Sequence, residues 1–90
     1  MGGIQINDRY ICPEATVIFS RHARKRTAER KIWRRHWREI AEDLATMWPN
    51  TRGPQKVIAC NLYEVAADFC ENRQIRVITL IYIGKQEAIE

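Results

Sequence analysis

Breakers are scarce in this chain. It holds four glycines and three prolines in 90 residues, and none of them falls between Glu14 and Trp48. Long stretches without Gly or Pro are read as regular structure rather than linker. Low-complexity tracts and internal repeats are also lacking, which argues against a disordered tail or a solenoid. No apolar run reaches the ~20 residues that a membrane-spanning helix needs. The longest, from Val77 to Ile83, has the length of a strand. The opening Met1-Gly2-Gly3-Ile4 has no basic stretch followed by an apolar one, so no secretory signal is expected. The three cysteines, Cys12, Cys60 and Cys70, are an odd number. Without a signal they are expected to be reduced thiols in a cytoplasmic protein. No Cys-x-x-Cys pair, closely spaced His pair, P-loop, dinucleotide glycine pattern or Ser–His–Asp signature occurs. The sequence therefore points to no metal and no cofactor. The adjacent carboxylates Glu42 and Asp43 point differently on a helix and are read as a solvated face.

One further absence is local. Between Arg21 and Arg38 the only acid is Glu29, against nine bases: Arg21, Arg24, Lys25, Arg26, Arg30, Lys31, Arg34, Arg35 and Arg38. The whole chain carries +4, so this segment carries +8 and the remainder −4. Solubility needs charge but not charge sorted by sign. Sorting on this scale points to a polyanionic partner, nucleic acid first, with an acidic protein as the other candidate. A merely solvated basic face is the plain alternative.

Ninety residues make a single domain with a modest core, for which a homodimer is plausible. Residues 1–20 read as short extended pieces, with Thr16-Val17-Ile18-Phe19 the clearest strand. Ser20 suits a helix N-cap. Trp33, Trp37, Ile40, Leu44 and Met47 recur at 4-3-4-3 spacing, an amphipathic stripe. Carried backwards, that stripe meets Arg30, Arg26 and His22, which cannot continue a buried seam. Two helices are expected, over about residues 21–30 and 34–47, with a bend near Lys31–Trp33 and with Ala23, Thr27 and Ile32 inward on the first. Pro49 to Pro54 reads as a loop. Three strands follow: Lys56–Cys60, Tyr63–Phe69 with alternating apolar residues, and Ile75–Ile83, almost continuously apolar with Arg76 as the polar interruption near its start, and hence a central strand covered on both faces. The three tryptophans, Trp33, Trp37 and Trp48, are read as core or interface residues rather than base-stacking platforms. The expected fold class is α+β, two N-terminal helices packed on a small antiparallel sheet, with an N-terminal strand at one edge.

The stretch from Phe19 to Ile32 carries a resemblance. Small bacterial proteins of the DUF4258 type have a strand followed by a Ser-x-His-Ala-x-x-Arg-Met-x-Glu-Arg-Gly-Ile helix. This chain has His22-Ala23, Arg26, Glu29-Arg30 and Ile32 at matching spacings, and departs at Thr27 and Lys31. That family is similar to the RelE/ParE group of toxins. The resemblance implies a RelE/ParE-like fold and a toxin component. Toxins of this group include some that cut ribosome-bound mRNA and others that poison gyrase. A small acidic antitoxin covering the basic face is the implied partner.

Metal-free RNA cleavage needs the 2′-hydroxyl deprotonated, the leaving oxygen protonated and the phosphorane charge held. His22 is the candidate acid or base, and Arg26, one turn further on the same helix face, with Arg30 and Arg76 would hold phosphate. Tyr82 could donate a proton or stack on a base. The catalytic candidates are thus His22, Arg26, Arg76 and Tyr82. Arg21, Arg24, Lys25, Arg30, Lys31, Arg34, Arg35 and Arg38 are candidates for binding nucleic acid. The structural readings stay open beside these: His22 as a cap or an acid's partner, and Arg26 with Glu29 and Arg30 as ion pairs fixing the helix. Two functional alternatives also stay open, a nucleic-acid-binding module without catalysis and a protein-interaction or inhibitor module of phage or mobile-element origin.

Overall fold

A computed structural model describes residues 4–6, 9–29 and 34–83, with backbone only at 4–6, 34 and 35. The elements run β1 (Ile4–Ile6), β2 (Arg9–Ile11), β3 (Thr16–Phe19), α1 (Arg21–Glu29), α2 (Arg34–Met47), a single tight turn of helix at Trp48–Asn50, then β4 (Gly53–Ala59), β5 (Tyr63–Cys70) and β6 (Gln74–Tyr82).

Local chemistry explains most boundaries. The β-branched run of β3 alternates, burying Val17 and Phe19. It stops at Ser20, whose Oγ accepts the Ala23 N–H at 3.1 Å and whose carbonyl accepts the Arg24 N–H at 2.9 Å. That hydroxyl satisfies one of the donors a helix start leaves open. α1 buries only Ala23 and Thr27, one turn apart, and Thr27 Oγ1 donates to the Arg24 carbonyl at 2.8 Å so that its burial strands no hydroxyl. α2 buries Trp37, Ile40, Ala41, Leu44 and Ala45, the stripe read from the sequence. Trp37 stacks on Phe19 with centroids 4.8 Å apart, and Tyr10 meets Phe19 edge-on at 5.7 Å. Each such large side chain taken from water stabilises the fold by roughly 1.5–3 kcal/mol.

Among the described residues the sheet has six strands, in the order β1-β2-β3-β6-β5-β4. Every neighbouring pair is antiparallel except β3 and β6, which run parallel with Val17 opposite Ile75 and Ile18 opposite Arg76. One face carries Val17, Phe19, Val65, Phe69, Ile75 and Leu80, all fully buried, and with the helices this face makes the core. A bulge between Ala66 and Ala67 leaves Ile78 as an extra residue in β6 and turns the end of that strand. No helix among the described residues is long and apolar enough to cross a membrane.

Three expectations are overturned. The RelE/ParE-like order, two N-terminal helices before an antiparallel sheet, does not hold: three strands precede the helices, belong to the same sheet, and make it mixed. The physical reason lies in β3, whose Val17 and Phe19 are fully buried and need a strand on each side. β2 supplies one side and β6 the other, the latter through a long crossover as parallel pairing demands. The N-terminal strand expected at an edge is therefore β1, with β3 inside. Second, β6 is central but covered on one face only, since Arg76 and Ile81 are exposed on the other. Third, β4 begins inside the expected loop. Gly53 adopts φ 78, open to glycine without strain, and Pro54 sits on the sheet edge, where no ladder N–H is required of it. The expected bend at Lys31–Trp33, with Ile32 and Trp33, lies outside the described residues.

Candidate nucleic-acid interface

α1 turns Ala23 and Thr27 inward and so turns its cations outward. Arg21, His22, Arg24, Lys25 and Arg26 are all exposed. Helix starts favour acids, yet the first turn of α1 contains none. Along one side of the helix the Arg26 Nε–H donates to His22 Nε2 at 3.3 Å, and an Arg26 terminal nitrogen lies 3.5 Å from Glu29 Oε1. On α2, Arg38 is exposed, with Nε 3.6 Å from Glu42 Oε2. Surface pairs of this kind are worth ~0–1 kcal/mol and exchange readily for a phosphate. Arg34 and Arg35 lie in the first turn of α2, with side chains outside the described set, as Arg30 and Lys31 are altogether.

The sheet fixes where this basic segment sits. α1 follows β3 directly, Ser20 N–H donates to the Val77 carbonyl at 3.1 Å, and α1 packs against β6. The five Cα steps from Glu29 to Arg34 reach at most ~17 Å. The first turn of α2 is held at the far end of β6, where His36 Nδ1 is hydrogen-bonded to the Tyr63 hydroxyl. The His36 and Tyr63 rings meet edge-on at 6.0 Å, and Tyr63 and Tyr82, register partners across β5 and β6, lie 5.4 Å apart. Tyr63 is buried, and burial, with Tyr82, Cys60 and Glu39 behind it, pushes its phenol pKa up, so it stays protonated. Tyr82 is exposed and lies at the end of β6 where the first turn of α2 is held.

The four catalytic candidates do not converge. Arg76 sits opposite Ile18 and Asp68 on the uncovered face, whereas Tyr82 shares the core-side face with Tyr63. Six residue steps along the strand separate them, on the order of 20 Å. His22 and Arg26 do meet, but they meet each other. Sequence reasoning missed the His36–Tyr63 contact. The available signal was spacing: His36 lies one turn before Ile40 and so borders the apolar stripe.

A concavity lies beside α2. Glu39, Glu42, Asp43, Thr46, Cys60 and Asn61 line a shallow recess of about 500 Å³. Asp43 Oδ2 accepts the Cys60 N–H at 2.7 Å. Burial first, then the charges of Asp43, Glu39 and Glu42, push the Cys60 thiol up to about 11. Burial first, then Glu42 and Glu14, also raises Cys12. Neither thiol is a thiolate near neutral pH, so neither is an activated nucleophile. Among the described residues no three His, Cys, Asp or Glu side chains gather as a metal site. Compared with protein-family models, curated proteins and solved structures, the chain matches none of them.

Proposed function

We propose that this protein binds single-stranded RNA along the outer face of α1 and the first turns of α2, with Tyr82 stacking on a base, and that it binds without cutting. The observation that carries the reading is the sorting of charge: Arg21, Arg24, Lys25, Arg26 and Arg38 are exposed in one segment of a domain whose remainder is acidic. An exposed aromatic where the first turn of α2 is held suits unpaired bases, whose faces stack on tyrosine whatever their identity. Binding is favoured over cleavage because Arg26 already engages His22 Nε2, and because Arg76 and Tyr82 lie about 20 Å apart along β6. If this is a toxin component, as the helix motif implies, an acidic antitoxin would compete for these cations.

The test is a salt series of binding to labelled single-stranded and duplex RNA, with fragments scored on gels. Five phosphate contacts on a single strand give a slope of log K against log salt of about −3 to −4. Arg21→Glu with Lys25→Glu should lower both the affinity and that slope. Tyr82→Ala should weaken binding about 10- to 100-fold at unchanged slope. A slope near zero, or tighter binding to duplex than to single strand, refutes the reading. Fragments that vanish with His22→Ala would restore the ribonuclease.

A further inference from the structure

Among the described residues β4 is the outermost strand on its side of the sheet. The hairpin shows which of its backbone groups are spare. The Leu62 carbonyl accepts the Ile83 N–H at 2.7 Å, on the β6 side. The Tyr63 N–H shares that planar peptide and points the opposite way, to β4. Successive residues of a strand turn alternately to one neighbour and the other, so Tyr63 and Val65 both turn to β4, where their partners are Ala59 and Val57. Within β4, Ala59 and Val57 therefore bond to β5, while Ile58, Lys56 and Pro54 face outward. Two observations agree with this phase. Pro54, with no N–H to give, falls on an outward position, and the Cys60 N–H, the next outward donor beyond Ile58, is taken by Asp43 Oδ2 at 2.7 Å. The free ladder is short and bounded: Lys56 and Ile58 each offer an N–H and a C=O.

The occupant that fits is a second copy. Two β4 strands can pair antiparallel about a two-fold axis perpendicular to the sheet, which keeps the helices of both copies on one face. With the axis at Val57, Lys56 of each copy opposes Ile58 of the other, and the four free N–H groups meet the four free C=O groups. An axis at Lys56 would set the two lysines opposite each other. An axis at Ile58 would run Lys56 against the turn at Cys60, whose N–H is already engaged. Charge agrees with the Val57 register. Ile58 is the register partner of Glu64, so Lys56 of one copy lies in the same row, on the same face, as Glu64 of the other. Their Cα atoms are ~9.6 Å apart, two strand spacings, which the two side chains span. At the ladder's ends Arg52 of one copy comes beside the other's turn at Cys60 and Asn61, the rim of the recess lined by Glu39, Glu42 and Asp43. Proline and lysine ordinarily blunt an edge. Here Pro54 closes the ladder rather than interrupting it, and Lys56 meets a carboxylate.

We propose that two copies of this chain pair through their β4 edges about an axis at Val57, joining two sheets into one. α1 packs on β6, two strands in from this edge, so pairing stands or falls apart from RNA binding.

Sedimentation of the full chain from about 1 to about 500 μM tests it. So narrow an interface belongs to the weak class, and a dimer with Kd of about 10–100 μM is expected. Lys56→Pro removes an outward N–H and leaves the β4–β5 ladder whole, so it should stay folded by circular dichroism and be monomeric. Val57→Cys tests the register. Across the axis its Cα atoms would be ~4.5 Å apart, as in a non-hydrogen-bonded pair, and diamide should give a disulfide-linked dimer. Ile58→Cys would place its Cα atoms ~8 Å apart and should link no faster than the natural chain. Lys56→Glu and Glu64→Lys chains should each pair about tenfold more weakly alone and recover when mixed. The proposal is overturned by a monomer at the highest concentration, by a folded Lys56→Pro chain that pairs as the natural one does, by a Val57→Cys chain that links no faster than Ile58→Cys, or by charge variants that pair no better mixed than alone.

Discussion

Removing one carboxylate should unsettle the β4–β5 hairpin. Cys60 and Asn61 both have φ 57 in the turn that joins these strands, closed by the Leu62 N–H donating to the Ala59 carbonyl at 3.1 Å. The left-handed region costs most residues roughly 1–2 kcal/mol, and asparagine less. Cys60 has no such tolerance. What holds it is Asp43, reaching from α2 to accept its N–H at 2.7 Å. A hydrogen bond to a charged group is worth ~1.5–3 kcal/mol, and a half-exposed position lowers this to about 1–2 kcal/mol. Asp43→Ala should therefore lower the melting temperature by about 5–15 °C in a domain of this size. Asp43→Asn, which keeps an acceptor, should lose about half as much. The decisive comparison is a cycle with Cys60→Gly, read by urea unfolding. Glycine enters the left-handed region unaided, so Asp43→Ala should cost ~0.5–1 kcal/mol less there. A cost below about 0.5 kcal/mol in the natural chain, or an equal cost in both backgrounds, would refute this account of the turn.

The Cys60 thiol, ordinarily at 9.0 and here at about 11, should react with iodoacetamide far more slowly at pH 9 in the folded protein than in urea. The folded state holds this proton more tightly than the unfolded one, so stability should be indifferent to Cys60 below pH 9 and fall from pH 9 to about 11, as a pH series of urea midpoints would record. Trp37→Ala removes a buried ring stacked on Phe19 and should cost ~3–5 kcal/mol, a large part of the ~5–13 kcal/mol expected of 90 residues; Trp37→Phe should be much milder, both scored by denaturant midpoints. Arg73 donates to the Pro13 and Glu14 carbonyls and ties the β2–β3 loop to the β5–β6 turn. Arg73→Lys, which cannot span both acceptors with a rigid fork, should lose about 1 kcal/mol in the same assay.

The parts of this fold that were legible in the sequence are those decided within a few residues. Ser20 caps where a hydroxyl precedes a run of helix formers, the Trp37–Ile40–Leu44 stripe is one face of one helix, and the alternation of β5 is buried and half-buried residue by residue. What the sequence did not disclose is decided at long range. β1 and β2 are three residues each; the sequence reads as short extended pieces there, but nothing local says that they join the same sheet beside β3. The parallel pairing of Val17 with Ile75 joins residues far apart, and no local propensity encodes it. The apolar run of β6 reads as buried on both faces, yet the chain spends its two helices on one side, which leaves Ile81 in water. At the candidate site the basic exposure of α1 followed from composition and periodicity. The meeting of His36, Tyr63 and Tyr82 depends on how α2 crosses the sheet, and the separation of Arg76 from Tyr82 depends on strand direction and face.

The last strand among the described residues, β6, lies in the middle of the sheet. Until β6 is made, β1–β3 form one incomplete piece and β4–β5 another, with no strand between them. Folding of the sheet must therefore wait for β6, and the basic helices emerge during synthesis before the sheet that orients them is complete. The same vacancy makes the protein separable: a fragment ending at residue 73 should remain unfolded and regain its native sheet when a peptide of residues 74–83 is supplied in trans.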